Sequence, residues 1–187
     1  MAYCNAISTS KNLDPCYTCT GEGRSVNCLV NPKYGGSKIY SCPGYRFPTE
    51  AEWEYAYRAG TTTALYNGPL LGCQGPDANA NTIAWFDGNS GLEVHPVGLK
   101  EPNALGLFDM AGNAFEFCHD RFQNDLTSTP VVDPAGPVND PKDPRVVIRG
   151  GTASSSVLFL RAAAREDLDG FSSASETVSF RCARTLP

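Results

Sequence analysis

Apolar residues recur with a helical period in two places along this chain. Ala2, Tyr3, Ala6 and Ile7 lie at helical spacing with no capping residue before them, which predicts a helix already under way at the start of the sequence. Thr49 and Glu52 form a capping box, and Trp53, Ala56 and Tyr57 then trace one apolar stripe. A second helix is therefore expected from Thr49, ended by Gly60. On it, Glu50, Glu52 and Glu54 read as a solvated face and cap partners rather than acid/base groups. Period-two alternation in Tyr17-Thr18-Cys19-Thr20 and Ser25-Val26-Asn27-Cys28, flanking Gly21-Glu22-Gly23, predicts a hairpin. Thr61 to Asp87 reads as turns and short extended pieces, and the proline-rich run from Pro130 to Pro144 as an irregular surface loop, because proline neither continues a helix nor joins a central strand.

Composition narrows the class. With 187 residues, 41% of them hydrophobic, and no apolar run of bilayer length, one globular domain spanning 1–187 is expected, with no membrane span. A net charge of -5 with scattered Lys and Arg gives no footprint for nucleic acid. Eight cysteines among 18 glycines and 14 prolines suit an oxidising compartment, so a secreted or cell-envelope location is expected. Met1 to Asn5 carries no export signal of its own. Cys16, Cys19, Cys28 and Cys42 fall within Asp14 to Tyr45, read as a cysteine-rich hairpin insertion (14–45). The pairing favoured by the strands is Cys19 with Cys28 and Cys16 with Cys42, although connectivity is open and a zinc site using Cys16-x-x-Cys19 is the alternative.

The segment around Gly112 and Asn113 carries the most chemistry. Asp109 and Glu116 flank a turn that can aim two carboxylates and the intervening carbonyls at one point, an arrangement suited to a hard cation. The competing reading has Asp109 capping a turn and Glu116 in an ion pair. His95 and His119 read as surface or supporting residues, and Cys118-His119-Asp120 is no dyad, since adjacent residues point different ways.

Four motifs then converge. Arg46 to Gly60 (RFPTEAEWEYAYRAG), Asn103 to Asp120 (NALGLFDMAGNAFEFCHD), Arg149-Gly150-Gly151 and Ser179 to Arg184 (SFRCAR) resemble the formylglycine-generating enzyme family, or sulfatase-modifying factor domain. The resemblance covers almost the whole chain. It implies an α+β, irregular, loop-rich C-type-lectin-like fold with few helices and short antiparallel strands, here without the family's usual N-terminal portion. It also implies structural calcium held by the side chains of Asp109 and Glu116 and the carbonyls of Gly112 and Ala114. A second calcium drawing on the Asn81-Thr82 neighbourhood and later acidic residues near Asp87 is implied only weakly, since the alignment through Gly88 to Glu93 is ambiguous. A Cys4–Cys182 disulfide follows from the resemblance, worth roughly 4 to 5 kcal/mol on the loop-entropy model, and Cys73 with Cys118 would make the count even.

Where the resembling oxidases carry two copper-binding cysteines, this chain departs. Residues 152–159 (TASSSVLF) contain no cysteine, and Thr152 and Val157 stand at the thiol positions. Neither can become the soft thiolate that Cu(I) prefers, so no copper is expected. Cysteines for the family's second disulfide, near Tyr57 and Ala162, are also absent, and its tryptophans are Phe115, Phe117 and Ala153. Relatives that use iron need three histidines; this chain has His95 and His119. The expectation is a non-catalytic, calcium-stabilised binding or display domain. Its ligand face would be Thr152, Ser154, Ser156, Phe159, Asp167, Asp169 and Phe171, a stretch resembling the variable face of retroelement-diversified members, and its partner a protein, peptide or glycan. The alternative is an oxidase that converts a cysteine or serine of a target protein to formylglycine.

Overall fold

The computed structural model describes residues 1–124, 129–136, 144–170 and 176–186, leaving aside the Arg24 side chain. Its first helix, α1 (Ala2–Ser10), begins at Met1 without a side-chain cap. The expected apolar stripe is not its inner face: Tyr3 stays 60% exposed, whereas Cys4 and Ser8, one turn apart, are buried. The Ser8 hydroxyl donates to the Cys4 carbonyl and accepts from Tyr45 N, so a polar residue anchors the helix to the chain entering the next motif.

The cysteine-rich segment is a hairpin of β1 (Tyr17–Thr20) and β2 (Asn27–Val30), with Cys19 opposite Cys28. The second strand starts two residues later than the alternation suggested, because Gly23–Ser25 forms a 3-10 turn. Cys19 is bonded to Cys28 and Cys16 to Cys42. β3 (Tyr45–Arg46) leads into α2 (Glu50–Arg58), whose capping box has both halves in place. Ala59, in the left-handed region at φ 47, caps its end one residue before Gly60.

Short pieces follow: α3 (Ala78–Ile83), β4 (Ala84–Trp85) and β5 (Ala111–Gly112), the last two paired in parallel. The main sheet comprises β6 (Phe115–Arg121), β7 (Arg145–Arg149), β8 (Glu166–Asp169) and β9 (Val178–Ser179) in the order β8-β7-β6-β9. Only its β6–β9 pairing is parallel. β10 (Ala183–Arg184) returns to pair with β3. Among the described residues, none of 129–136 joins a helix or strand. No helix among the described residues is long and apolar enough to cross a membrane.

β6 and β7 are buried on both faces and divide two cores, β7 with the apolar run Val146–Ile148 and β6 with buried Glu116, His119 and Asp120 among its apolar residues. Cys118 and Val147 face one with Trp53, Tyr57, Met110 and Leu160; Phe117, Val146 and Ile148 face the other with Tyr17, Phe47 and Ile39. The glutamates of α2 are not the solvated face expected of them. Glu52 pairs with fully buried Arg46, and Glu50 and Glu54 with equally buried Arg149, which also donates to the Ala162 carbonyl. Arg165 adds a second partner to Glu50. A buried guanidinium needs acceptors, and the α2 glutamates supply them to the terminal nitrogens of Arg46 and Arg149, whose Nε atoms stay buried without a partner.

Candidate functional site

The Asp109 to Glu116 segment is shaped by its backbone. Asp109, Gly112 and Asn113 all take positive φ (53, 73 and 66). At Gly112 a Cβ would sit 2.1 Å from the Trp85 carbonyl oxygen, so the parallel β4–β5 contact requires glycine. Asn113 is a cross-brace: its side chain accepts from His95 N and donates to the His95 carbonyl, its N–H donates to Trp85 O, and its carbonyl accepts from Ala153 N. Three loops are thereby fixed around one turn. The result is a cleft of about 480 Å³ lined by Asp109, Gly112, Ala114 and Glu116, with Arg181 on its wall and Val97, Phe108 and Phe180 also lining it.

The sequence-expected calcium quartet is therefore brought together, but with an unexpected companion. Arg181 grips Glu116 in a fork, Nε to Oε2 at 2.5 Å and an Nη to Oε1 at 2.6 Å, while the Trp53 indole donates to Oε2 at 2.7 Å. Asp109 accepts from Gly98 N, and the Gly112 carbonyl from Ala114 N. Two carboxylates against one guanidinium leave one net negative charge, and the oxygen donors are of the hard type that calcium takes. The four residues line one cleft, and an ion there would share Glu116 with Arg181. Among the described residues no three His, Cys, Asp or Glu side chains converge on a metal position, so backbone carbonyls would have to complete the shell. Arg181 was missed at the sequence level, although it lies inside the quoted SFRCAR motif; nothing local says which carboxylate it will meet across 65 residues.

The weaker second calcium position is not built that way. The Asn81 carbonyl accepts from the Lys100 ammonium at 2.6 Å and the Thr82 carbonyl from Glu101 N, while Asp87 is exposed. Lys100 also sits 3.9 Å from the centroid of the Trp85 ring, and the His95 ring stacks on Trp85 at 3.8 Å.

Of the proposed ligand face, Thr152 is buried and spends its hydroxyl on Ser154 and Ser155, so it shapes the turn rather than facing solvent. Ser156 caps a 3-10 turn (Val157–Leu160) whose Leu158 and Phe159 are each 37% exposed. Ser154 and Asp169 are exposed, Asp167 lies 3.7 Å from Arg145, and Phe171 falls outside the described residues. Val157 is buried in the Trp53 core.

Cys73 and Cys118 are not bonded to each other: Cys73 is exposed, whereas Cys118 lies wholly inside β6, where burial keeps its thiol protonated. Cys4 and Cys182 stand with sulfurs 3.3 Å apart as thiols, not as a formed disulfide. Their hydrogen bond favours the Cys182 thiolate, lowering its pKa to about 7, and holds Cys4 protonated. This pair lies in the Tyr17–Phe47 core, not in the Trp53 core that packs residues 157–160. His119 is buried rather than on the surface, and burial lowers its pKa to about 4. Asp120, whose carboxylate caps α2 through Glu50 N, is pushed up to about 7, chiefly by burial.

Comparison with known proteins places this geometry. The chain is 35% identical over 176 residues to the formylglycine-generating enzyme of Streptomyces coelicolor, covering 86% of this chain and 54% of that protein. It is 30% identical over 176 residues to the serine/threonine-protein kinase Pkn1 of Chlamydia trachomatis, covering 88% of this chain but 27% of that protein. The chain thus spans about a quarter to a half of the length of these relatives. Among solved structures, Treponema denticola variable protein 1 superposes with a TM-score of 0.81 at 28% identity, covering 99% of this chain and 67% of that one. The profile of the sulfatase-modifying factor enzyme 1-like domain matches residues 1–186, and the chain belongs to that family.

Proposed function

We propose that this chain is a non-catalytic, calcium-stabilised binding domain of the sulfatase-modifying factor family. The observation that carries the reading is chemical: between Arg149-Gly150-Gly151 and Arg161 there is no sulfur, and the positions that resemble the oxidases' thiols are Thr152, consumed in its own turn, and Val157, buried in the core. A hydroxyl and an isopropyl group offer copper nothing, and the adjacent thiols Cys4 and Cys182 belong to the other core. Calcium would be held by Asp109, Glu116 and the Gly112 and Ala114 carbonyls, supplying fixed positive charge to the cleft. Asp109 and Asn113 would keep that turn in register.

The display face is narrower than the sequence suggested. Ser154, Ser156, Leu158, Phe159 and Asp169 remain outward after Thr152 is assigned to the turn. The hydroxyls and the half-exposed Phe159 on and beside the 3-10 turn, with the acid Asp169 at the end of β8, suit a protein, peptide or glycan partner. A secreted or cell-envelope setting agrees with the two disulfides of the hairpin.

The rival reading, oxidation of a cysteine or serine to formylglycine, draws on the names of the relatives. The deciding assay is oxygen uptake and mass change of a cysteine-containing sulfatase peptide with copper supplied. Turnover above a protein-free control refutes the binding-only reading; none is expected.

A further inference from the structure

The Asn81–Thr82 backbone is the place where the family resemblance puts a second metal ion, and the residues present do not fit one. Three of their oxygens already accept a hydrogen bond. The Asn81 carbonyl accepts the Lys100 ammonium at 2.6 Å, the Thr82 carbonyl accepts Glu101 N at 3.0 Å, and the Asn81 side-chain oxygen accepts from Asn89 at 3.3 Å. Asp87 is exposed, and its N–H donates to Ser155 O.

We infer that Lys100 is a tethered cation that substitutes for a second calcium in this domain. Three features support the assignment. Calcium needs about six to eight oxygens, and on the neutral Asn81 carbonyl it would stand against the Lys100 ammonium with no negative charge between them, whereas at Glu116 a carboxylate lies between the ion and Arg181. The ammonium also rests on the face of the Trp85 ring at 3.9 Å, an attraction that favours a monovalent organic cation with a short hydrocarbon stem. The opposite support of that ring is His95, stacked at 3.8 Å and held by the Ser90 carbonyl and by Asn113, the brace of the Glu116 cleft. Burial disfavours the charged form of Lys100, so the carbonyl and ring contacts are what keep the ammonium in place. Because the charge is covalently attached, this corner of the fold is independent of calcium concentration. The Glu116 cleft is the calcium-sensitive part only if the proposed function holds.

Native mass spectrometry of the whole chain, titrated with calcium, counts the ions. One ion is expected. None would refute calcium at the Glu116 cleft while leaving Lys100 as the cation at Asn81; two specifically bound ions would overturn the assignment of Lys100. In parallel, Lys100→Met is melted in calcium and in a chelator. A lower Tm in chelator for Lys100→Met that the charge-keeping Lys100→Arg largely avoids supports the tethered cation; a Tm equal to that of the unsubstituted protein, or an equal loss in both variants, overturns it. If Lys100→Met fails to fold, the ion count still decides, and Lys100→Arg is expected to retain most of the Tm.

Discussion

Glu116→Gln separates the two roles assigned to the cleft. Glu116 is 9% and Arg181 24% exposed in their side chains, so the pair is mostly desolvated. Removing one partner of a buried pair costs about 3–5 kcal/mol. Glutamine keeps one acceptor, but its amide N–H₂ must face a donor, either Arg181 or the Trp53 indole that now reaches Oε2 at 2.7 Å. A loss of about 2–4 kcal/mol is therefore expected in chelator, and at about 2–4 °C per kcal/mol for a domain of this size the Tm falls by about 5–15 °C. Calcium adds a second, separable increment: at a hundredfold excess over Kd an ion bound only by the native state contributes about 2.7 kcal/mol. The unsubstituted protein should show that gain and Glu116→Gln should lose most of it. The assay is thermal melting followed by near-ultraviolet circular dichroism, with and without calcium, on both proteins. A variant whose Tm in chelator matches the unsubstituted protein refutes the structural role of the Arg181 fork. A variant that retains the full calcium increment shows that Glu116 is not a ligand.

Two further outcomes follow from the titrating groups. Asp120 has a folded-state pKa of about 7, raised chiefly by burial, against about 3.9 in the unfolded chain, so the native state binds the extra proton and this group's contribution is lost as pH rises between those values. Asp120→Asn, which still accepts from Glu50 N, should gain stability relative to the unsubstituted protein from pH 4 to pH 7.5 in urea titrations; a constant difference across that range would count against the buried acid. For Cys4 and Cys182, 178 residues apart in sequence with sulfurs 3.3 Å apart, oxidised glutathione should remove two titratable thiols. It should also raise stability by about 5 kcal/mol on the loop-entropy estimate; unchanged thiol counts would show that the pair resists closure.

Some of this was legible in the residues themselves. The Thr49–Glu52 box is a reciprocal contact over three residues and needs no tertiary help, and it formed as read. The hairpin was visible in its alternation, although a 3-10 turn moved its second strand, because Gly23 at φ 56 opens a tighter path than the pattern implied. The Gly112-Asn113 turn announced itself by residue type, since both take the left-handed backbone that glycine and asparagine tolerate. The family was legible too, because its motifs are contiguous.

What the residues did not disclose depends on partners far away in the chain. The inner face of α1 is set by what packs there, so Cys4 and Ser8 turned inward and Tyr3 stayed outside, against the apolar count. The fate of a charge likewise depends on desolvation at a distance: Glu50 and Glu54 met Arg149 across 99 and 95 residues, and Glu116 met Arg181 across 65. Cys73 and Cys118 make an even number on paper, yet one lies on the surface and the other inside a two-faced strand. Sequence by itself determined the elements whose contacts span a few residues, together with the loss of sulfur beside Arg161. Tertiary structure decided which charges and thiols stand side by side, because burial and Coulomb energy depend on distances in space that sequence separation does not encode.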